Sequence, residues 1–574
     1  MCARAFSRVL EYRSSPADQA GFRLFCNSNL RVRAVPVFYP RGVESVDIPS
    51  RRSDELGIER PAAARRAFAI ISHPDAGKTT LTEKLLLYSG SIAQAGAVKA
   101  HRDRRSATSD WMEMEKQRGI SITSTVLRFS HRDSVMNLLD TPGHRDFSED
   151  TYRVLSAADC ALMVIDAAKG IEAQTLKLFE VCRARGTPLL TFINKMDRPS
   201  LDPLGLLDDI RSQIGVEPTP VTWPVGEPGD FQGVIDRRSR TFHRFVRTAR
   251  GATIGEEEIT ELNNGSESPA LARALDEVSL LDESGLMPDR DSFLAEETTP
   301  VFFGSAISNF GIRLLLDALV DLAPAPAPRR DRHGVSRALA EPFSGFVFKV
   351  QANMDPRHRD RIAFVRVCSG RFERGAVVNH AQSGRPFTLN YAHQLFGRDR
   401  ETIDVAYPGD IVGLVNAGDL RIGDTLYDGE PVEFPSLPSF APEHFVTVQN
   451  VAASRYKRFR KSLVQLEEEG VVQVLRDPDR GDREPVLAAV GPMQFEVAKH
   501  RLENEFGVPV RLSPTEYKVA RLTDEAGEAF LSGSWEADVL HRSDGVLFAL
   551  FRSPYQLERL ERERPELRLD HIVA

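Results

Sequence analysis

The 574-residue chain is 41% hydrophobic and 27% charged, an ordinary globular make-up with length for roughly three or four domains. A net charge of −8 argues against a protein that coats nucleic acid by bulk electrostatics, although 74 Lys and Arg leave room for a local basic face. Five scattered cysteines without a C-x-x-C pair point to reduced thiols in a cytoplasm, not to a zinc site or disulfide framework, and no apolar run reaches the roughly 18 residues of a membrane span.

Residues 1–65 are arginine-rich, lack lysine and show no steady apolar period. Their acids (Asp18, Glu44, Asp47, Asp54, Glu55) count against a transit peptide, so a poorly ordered extension is expected, with a basic arm for an anionic partner as the alternative. The chain then turns apolar at 68–71, the mark of a buried parallel strand, and breaks at 72–77. A helical pattern with Leu81, Leu85 and Tyr88 on one face follows. Ser72-His73-Pro74-Asp75-Ala76-Gly77-Lys78-Thr79-Thr80 therefore lies between strand and helix, as a phosphate-binding loop does. Backbone N–H groups and the helix N-terminus would face the phosphates, Lys78 would add a mobile charge, and the Thr79 hydroxyl could ligate Mg²⁺. Ser72 stands where the general G-x-x-x-x-G-K-[ST] pattern has glycine.

Residues 101–123 are basic, then polar and acidic, and are expected to be mobile unless a ligand orders them, as phosphate and Mg²⁺ order switch segments. A second apolar strand at 135–139 ends in Asp140-Thr141-Pro142-Gly143-His144. There the Asp can hold Mg²⁺ through water and Gly143 lets the backbone approach a terminal phosphate. A third strand covers 161–166. A fourth, 188–193, ends in Asn194-Lys195-Met196-Asp197, whose carboxylate can pair the two donors of guanine that adenine lacks. A fifth ends in Ser305-Ala306, with backbone groups for the base. Each motif alone is weak; four in order, each at the end of an apolar strand, specify a guanine-nucleotide domain on a doubly wound parallel sheet.

About a hundred residues separate Asp197 from Pro300, too many for one crossover helix. Short alternating patches at 218–245 suggest a β-insert, and the acidic stretch 256–294 reads as helical. A proline-rich run at 322–328 followed by charged residues marks a domain boundary. Short strands at 346–350, 362–367, 376–379, 387–391 and 411–415 then suggest a small β-barrel over 342–435. Beyond a second linker, 435–442, strands and helices alternate over 443–574, giving an α/β sandwich. Its cluster Arg455-Tyr-Lys-Arg-Phe-Arg-Lys461 is either an RNA-facing surface, with Tyr456 and Phe459 between cations, or a solvated helix face. Arg357-His-Arg-Asp-Arg361 is likewise either RNA-facing or a solvated turn.

Asp140-Thr-Pro-Gly-His144, Arg118-Gly119-Ile120 and Asp75-Ala-Gly-Lys-Thr79 resemble the translational GTPases. Within them, Ser72-His-Pro-Asp-Ala-Gly-Lys-Thr79, Ala107-Thr-Ser-Asp-Trp111, Glu115-Lys-Gln-Arg-Gly-Ile-Ser121, Gly345-Phe-Val-Phe-Lys-Val-Gln-Ala-Asn-Met-Asp-Pro356 and Ala406-Tyr-Pro-Gly-Asp410 resemble the bacterial class II peptide-chain release factors. The likeness runs from about residue 65 to the C-terminus. It implies an α/β multidomain chain: a GTPase domain at 66–328 with an insert at about 199–299, then the barrel and the C-terminal α/β domain. Ser72 is then expected, since that family also lacks the first glycine.

The resemblance also implies a function: GTP hydrolysis to GDP and phosphate, stimulated by the bacterial ribosome through its RNA and proteins, promoting departure of codon-reading release factors after peptide release. A cytoplasmic monomer is expected, with no membrane or DNA partner. His144 takes the place that positions the attacking water. Thr79, Ser121 and Asp140 take the Mg²⁺ places, with Thr123 close enough to compete with Ser121 for the switch hydroxyl. Another ribosomal GTPase or a non-ribosomal regulatory switch stays open at this point. Elongation factor G would need more domains after the barrel than the remaining length supplies.

Overall fold

The computed structural model describes residues 50–92, 121–227, 229–246, 253–262, 268–352, 361–396, 399–437, 441–477, 481–532 and 534–570. The expected switch segment up to Ile120 and the run at 357–360 lie outside these residues. Every contact below falls within the compact unit Asp54–Ala574.

The first domain is built around β1 (Arg65–Ser72), with β2 (Thr125–His131), β3 (Ser134–Asp140), β4 (Cys160–Asp166) and β5 (Leu189–Asn194). The sheet order is β2-β3-β1-β4-β5, continued by Thr298–Phe303 and Glu217–Pro220, and only β2 runs antiparallel to its neighbour. Helices cover both faces, which is why β1 from Ala67 to Ile71 and β4 from Cys160 to Ile165 are apolar at every position instead of alternating. Leu81 and Leu85 pack with Leu315 and Leu319 on one face, while Val154, Leu178 and Phe179 fill the other. The sheet order reverses at β1, so a crevice opens at the carboxyl ends of β1 and β3, where ligands of such sheets bind.

The end of the extension departs from the expected disorder. Ser50–Ala63 is helical, with Ala62 buried and the Pro61 carbonyl accepting from Arg65. Pro61 and a weak apolar face hide this helix in the sequence. In the insert, Thr222–Glu227, Asp230–Asp236 and Thr241–Phe245 form the expected antiparallel sheet, but Glu257–Glu261 joins it as a fourth strand instead of starting a helix. Tertiary contacts override the local pattern there. Glu257 lies 2.6 Å from His243 Nδ1 and 2.7 Å from Arg313 Nε. Burial alone would raise its carboxyl, but these partners hold it down to about 2. The helix Pro269–Glu283 follows.

The proline-rich run leads to Arg329, which stacks on Phe346 and Phe434 and donates to the Ser156 carbonyl, so this boundary is packed. The barrel strands include Ser344–Ala352, Arg361–Ser369, Val377–His380 and Ile411–Val415. The strand expected at 387–391 instead ends at Thr388; Tyr391, at φ 51°, turns the chain into Ala392–Phe396. Gly409 and Asp410 lie against the first domain. Asp410 pairs with Arg65 at 2.7 Å, and a Cβ on Gly409 would stand 2.4 Å from Pro326 Cγ. Arg366 donates from Nη2 to both Asp159 carboxylate oxygens at 2.7 and 2.8 Å and from Nη1 to the Ala157 carbonyl at 2.7 Å, a second tie between these domains.

In the C-terminal region seven antiparallel strands, from Val510–Pro514 at one edge to Val519–Thr523 at the other, are covered by Tyr456–Glu468, Met493–His500 and Pro554–Glu563. Phe459 is fully buried in this core, so of the two aromatics in the basic cluster one is a packing residue. Arg455, Tyr456, Lys457, Arg458 and Lys461 stay on the surface.

Candidate functional site

The loop after β1 reaches its helix through two backbone positions with positive φ, Asp75 at 65° and Gly77 at 98°. Gly77 is required twice over: its φ belongs to the left-handed region, and a Cβ there would stand 2.3 Å from Asn194 Nδ2. The helix Lys78–Tyr88 begins directly afterwards, so its first-turn N–H groups, which have no intrahelical acceptors, face the crevice. Lys78 Nζ bonds the Asp140 carboxylate, both groups being buried, and His73 Nδ1 lies 2.6 Å from Glu172. Thr79 Oγ1 and Ser121 Oγ are 3.4 Å apart, whereas Thr123 lines a different cavity beside Lys349 and Gln351.

Asn194 ties three motifs together from a buried position. Its Nδ2 donates to the Ala76 carbonyl at 2.8 Å, and its Oδ1 accepts from the Ala306 N–H at 2.8 Å. Asp197 accepts from the Ser305 hydroxyl at 2.6 Å, which fixes the carboxylate at the strand ends. Lys195, at φ 72°, places its ammonium 2.8 Å from Asp166. Burial alone would raise the Asp166 carboxyl, but Lys195 and the Ala168 N–H outweigh it and hold it low. Such an arrangement offers a base a rigid acceptor between a backbone wall and an aliphatic lysine stem.

From β3, Thr141 anchors the next loop by donating to the Ile70 carbonyl at 2.6 Å. Gly143 faces the phosphate loop, where an added Cβ would stand 3.6 Å from Pro74 Cα. His144 stands at the rim, its Nδ1 accepting from the Asp146 N–H at 3.3 Å. A cavity of about 280 Å³ joins these parts. Its wall holds 72–75, 77–80, Ser121, Gly143, His144, Asn194, Lys195 and Ala306, and also Arg198 and Ile307. Of the other sequence candidates, Asp140, Ala76 and Ser305 sit behind this wall, Thr141 and Pro142 are buried beneath it, Met196 belongs to the core, and Asp197 holds Ser305.

Comparison with known proteins identifies the parts. The elongation factor Tu GTP binding domain matches residues 63–325, elongation factor G domain 2 matches 342–429, and the class II release factor RF3 C-terminal domain matches 434–561. Peptide chain release factor 3 of Gloeobacter violaceus is 52% identical over 520 residues, covering 89% of this chain and 97% of that relative. Its counterpart in Microcystis aeruginosa is 50% identical over 525 residues, covering 89% and 95%. The chain belongs to the peptide chain release factor 3 family. As a member it is a guanine-nucleotide-binding GTPase of translation termination. A solved structure from Thermus thermophilus shares the fold, with a TM-score of 0.66 at 26% identity over 80% of this chain and 69% of that one.

The cavity wall and its contacts include groups that motif reading passed over. Arg198 follows Asn194–Asp197 directly and Ile307 follows Ser305-Ala306, so adjacency was the available signal. Glu172 and Asp146 lie outside any motif and are found only by distance. The residues also fit a Mg²⁺ ion. Thr79 and Ser121 present two hard oxygens within reach of one small cation, the buried Asp140 carboxylate is held by Lys78, and no cluster of three or more His, Cys, Asp or Glu forms a dedicated cage among the described residues. No helix among those residues is long and apolar enough to cross a membrane.

Proposed function

We propose that this protein hydrolyses GTP on the bacterial ribosome after peptide release, and that the cycle promotes departure and recycling of the codon-reading release factor. The observation that carries the nucleotide assignment is the Asn194 bridge, which locks the phosphate loop to the base-reading segment in one rigid unit. Residues 73–80 bind the phosphates, with Lys78 on the β- and γ-groups. Asp197 reads guanine, and Lys195 and Ala306 border the base. Thr79 and Ser121 hold Mg²⁺, with Asp140 acting through water. When bound, that ion neutralises charge on the phosphates. The 3.4 Å separation of Thr79 and Ser121 supports Ser121 over Thr123 as the switch hydroxyl.

Gly143 presents backbone to the γ-phosphate, and His144 holds the attacking water in line with the leaving group. Hydrolysis then depends chiefly on alignment, which is worth several kcal/mol of barrier. Among the described residues no arginine of the chain reaches the phosphate end as a finger, since Arg198 follows the base-reading motif; the ribosome supplies the stimulus. Lys457, Arg458 and Lys461 offer a face for ribosomal RNA. The protein works as a cytoplasmic monomer, with ribosome and release factors as partners. The test is GTP turnover alone, with empty ribosomes and with post-termination complexes. Slow turnover alone and strong stimulation by ribosomes are expected, and the same rate with and without ribosomes would overturn the reading.

A further inference from the structure

The loop that carries His144 is held from outside its own domain. Asp146, two residues on, is buried, and its backbone N–H donates to His144 Nδ1 at 3.3 Å while its Oδ1 lies 3.3 Å from the same nitrogen. The other carboxylate oxygen accepts from the Met493 N–H at 2.7 Å. Met493 opens the C-terminal helix Met493–His500, where a first-turn N–H has no acceptor within the helix. A buried carboxylate and an orphan helix donor thus satisfy each other across the domains. Gly491 makes the approach possible, because a Cβ there would stand 2.1 Å from Asp146 Cγ. Next in sequence, Phe147 packs with Val497 of the same helix and with Ile122, the neighbour of Ser121.

We propose that Asp146 is a positioning residue for His144, and that the C-terminal segment 491–493 sets where Asp146 sits. Both Asp146 contacts, from the backbone N–H and from the carboxylate, fall on His144 Nδ1, so one residue fixes the orientation of the ring. The geometry of hydrolysis is therefore tied to the placement of the C-terminal domain. A shift of about 1 Å in that helix is enough to misalign the water by the usual sensitivity of positioned groups. The proposal rests on the reading of His144 as the residue that positions water.

Its test is a double-mutant cycle on the full-length protein, read as single-turnover GTP hydrolysis on ribosomes alongside GTP affinity. Asp146→Ala and Gly491→Ala are each expected to slow hydrolysis by about 10- to 100-fold while leaving GTP affinity within about twofold. Asp146→Asn keeps the volume and an acceptor for the Met493 N–H. It should recover the rate to within about threefold, and it keeps the test open should Gly491→Ala not fold. In a His144→Ala background neither Asp146→Ala nor Gly491→Ala should cost more than about twofold further, because the group they act through is gone. A full additional loss in that background, or a parallel loss of GTP affinity, would overturn the proposal and leave the role of His144 standing. A wild-type rate in His144→Ala alone would remove both.

Discussion

Replacing Asn194 by alanine probes the part of the site on which the nucleotide assignment rests. The amide makes two buried hydrogen bonds, to the Ala76 carbonyl and from the Ala306 N–H, both at 2.8 Å. A neutral bond of this kind contributes about 0.5–1.5 kcal/mol net. Losing both withdraws about 1–3 kcal/mol of preorganisation from a loop that must already be shaped for phosphate. Since affinity falls with the fraction of protein in the competent shape, GTP binding should weaken by roughly 5- to 150-fold. Asn194→Asp separates the two bonds: it keeps the acceptor for Ala306 but turns an oxygen toward the Ala76 carbonyl, and should be at least as damaging. Equilibrium titration with a fluorescent GTP analogue reads the effect, with GDP as the control for phosphate contacts common to both ligands. A dissociation constant within about twofold of wild type in a folded Asn194→Ala protein would refute the reasoning, because the loop would then keep its shape without the bridge.

Further outcomes follow from the same geometry. Asp197→Asn should weaken GTP binding by about 2–4 kcal/mol and favour xanthosine triphosphate, whose C2 carbonyl the amide can serve; a competition titration decides, and unchanged GTP affinity would remove Asp197 from the site. Glu257→Gln should destabilise the fold by about 1–3 kcal/mol at neutral pH in urea unfolding, by weakening bonds to His243 and Arg313. Because the folded Glu257 carboxyl is held down to about 2, its contribution is complete above the ordinary value near 4.5 and fades as pH falls from there toward 2. The stability of wild type and variant should therefore converge only over that range. Lys457→Glu with Lys461→Glu should weaken ribosome association and flatten its salt dependence by about one unit of log–log slope per lost phosphate contact, whereas an unchanged slope would mean a merely solvated face.

Most of the nucleotide domain is legible in the sequence because its strands are buried on both sides. Runs such as Phe68–Ile71 and Ala161–Asp166 have no polar alternation to confuse them, and each carries its motif at its end. What escaped depends on tertiary contact. The strand Glu257–Glu261 forms because Thr241–Phe245 offers an edge and Glu257 finds His243 and Arg313 as partners, and neither fact lies within the stretch itself. Phe459 looks like part of an RNA-facing row, yet its helical phase turns it into the core beside Leu463 and Leu466. Asp146 carries no motif signal, since its partners Gly491 and Met493 are more than three hundred residues away. The barrel motif Ala406–Asp410 gains a physical reason only from the structure, as the close approach of Gly409 and the buried pair of Asp410 with Arg65.

The central claim is that GTP turnover by this protein serves the departure of the codon-reading release factor. Its most direct test follows a fluorescently labelled codon-reading release factor on post-termination ribosomes, adding this protein with GTP and recording dissociation in real time. The account predicts that dissociation accelerates well above the spontaneous rate, and that Asn194→Ala loses the acceleration at GTP concentrations below its weakened affinity. Ribosome-stimulated hydrolysis with no change in the release-factor dissociation rate would contradict it.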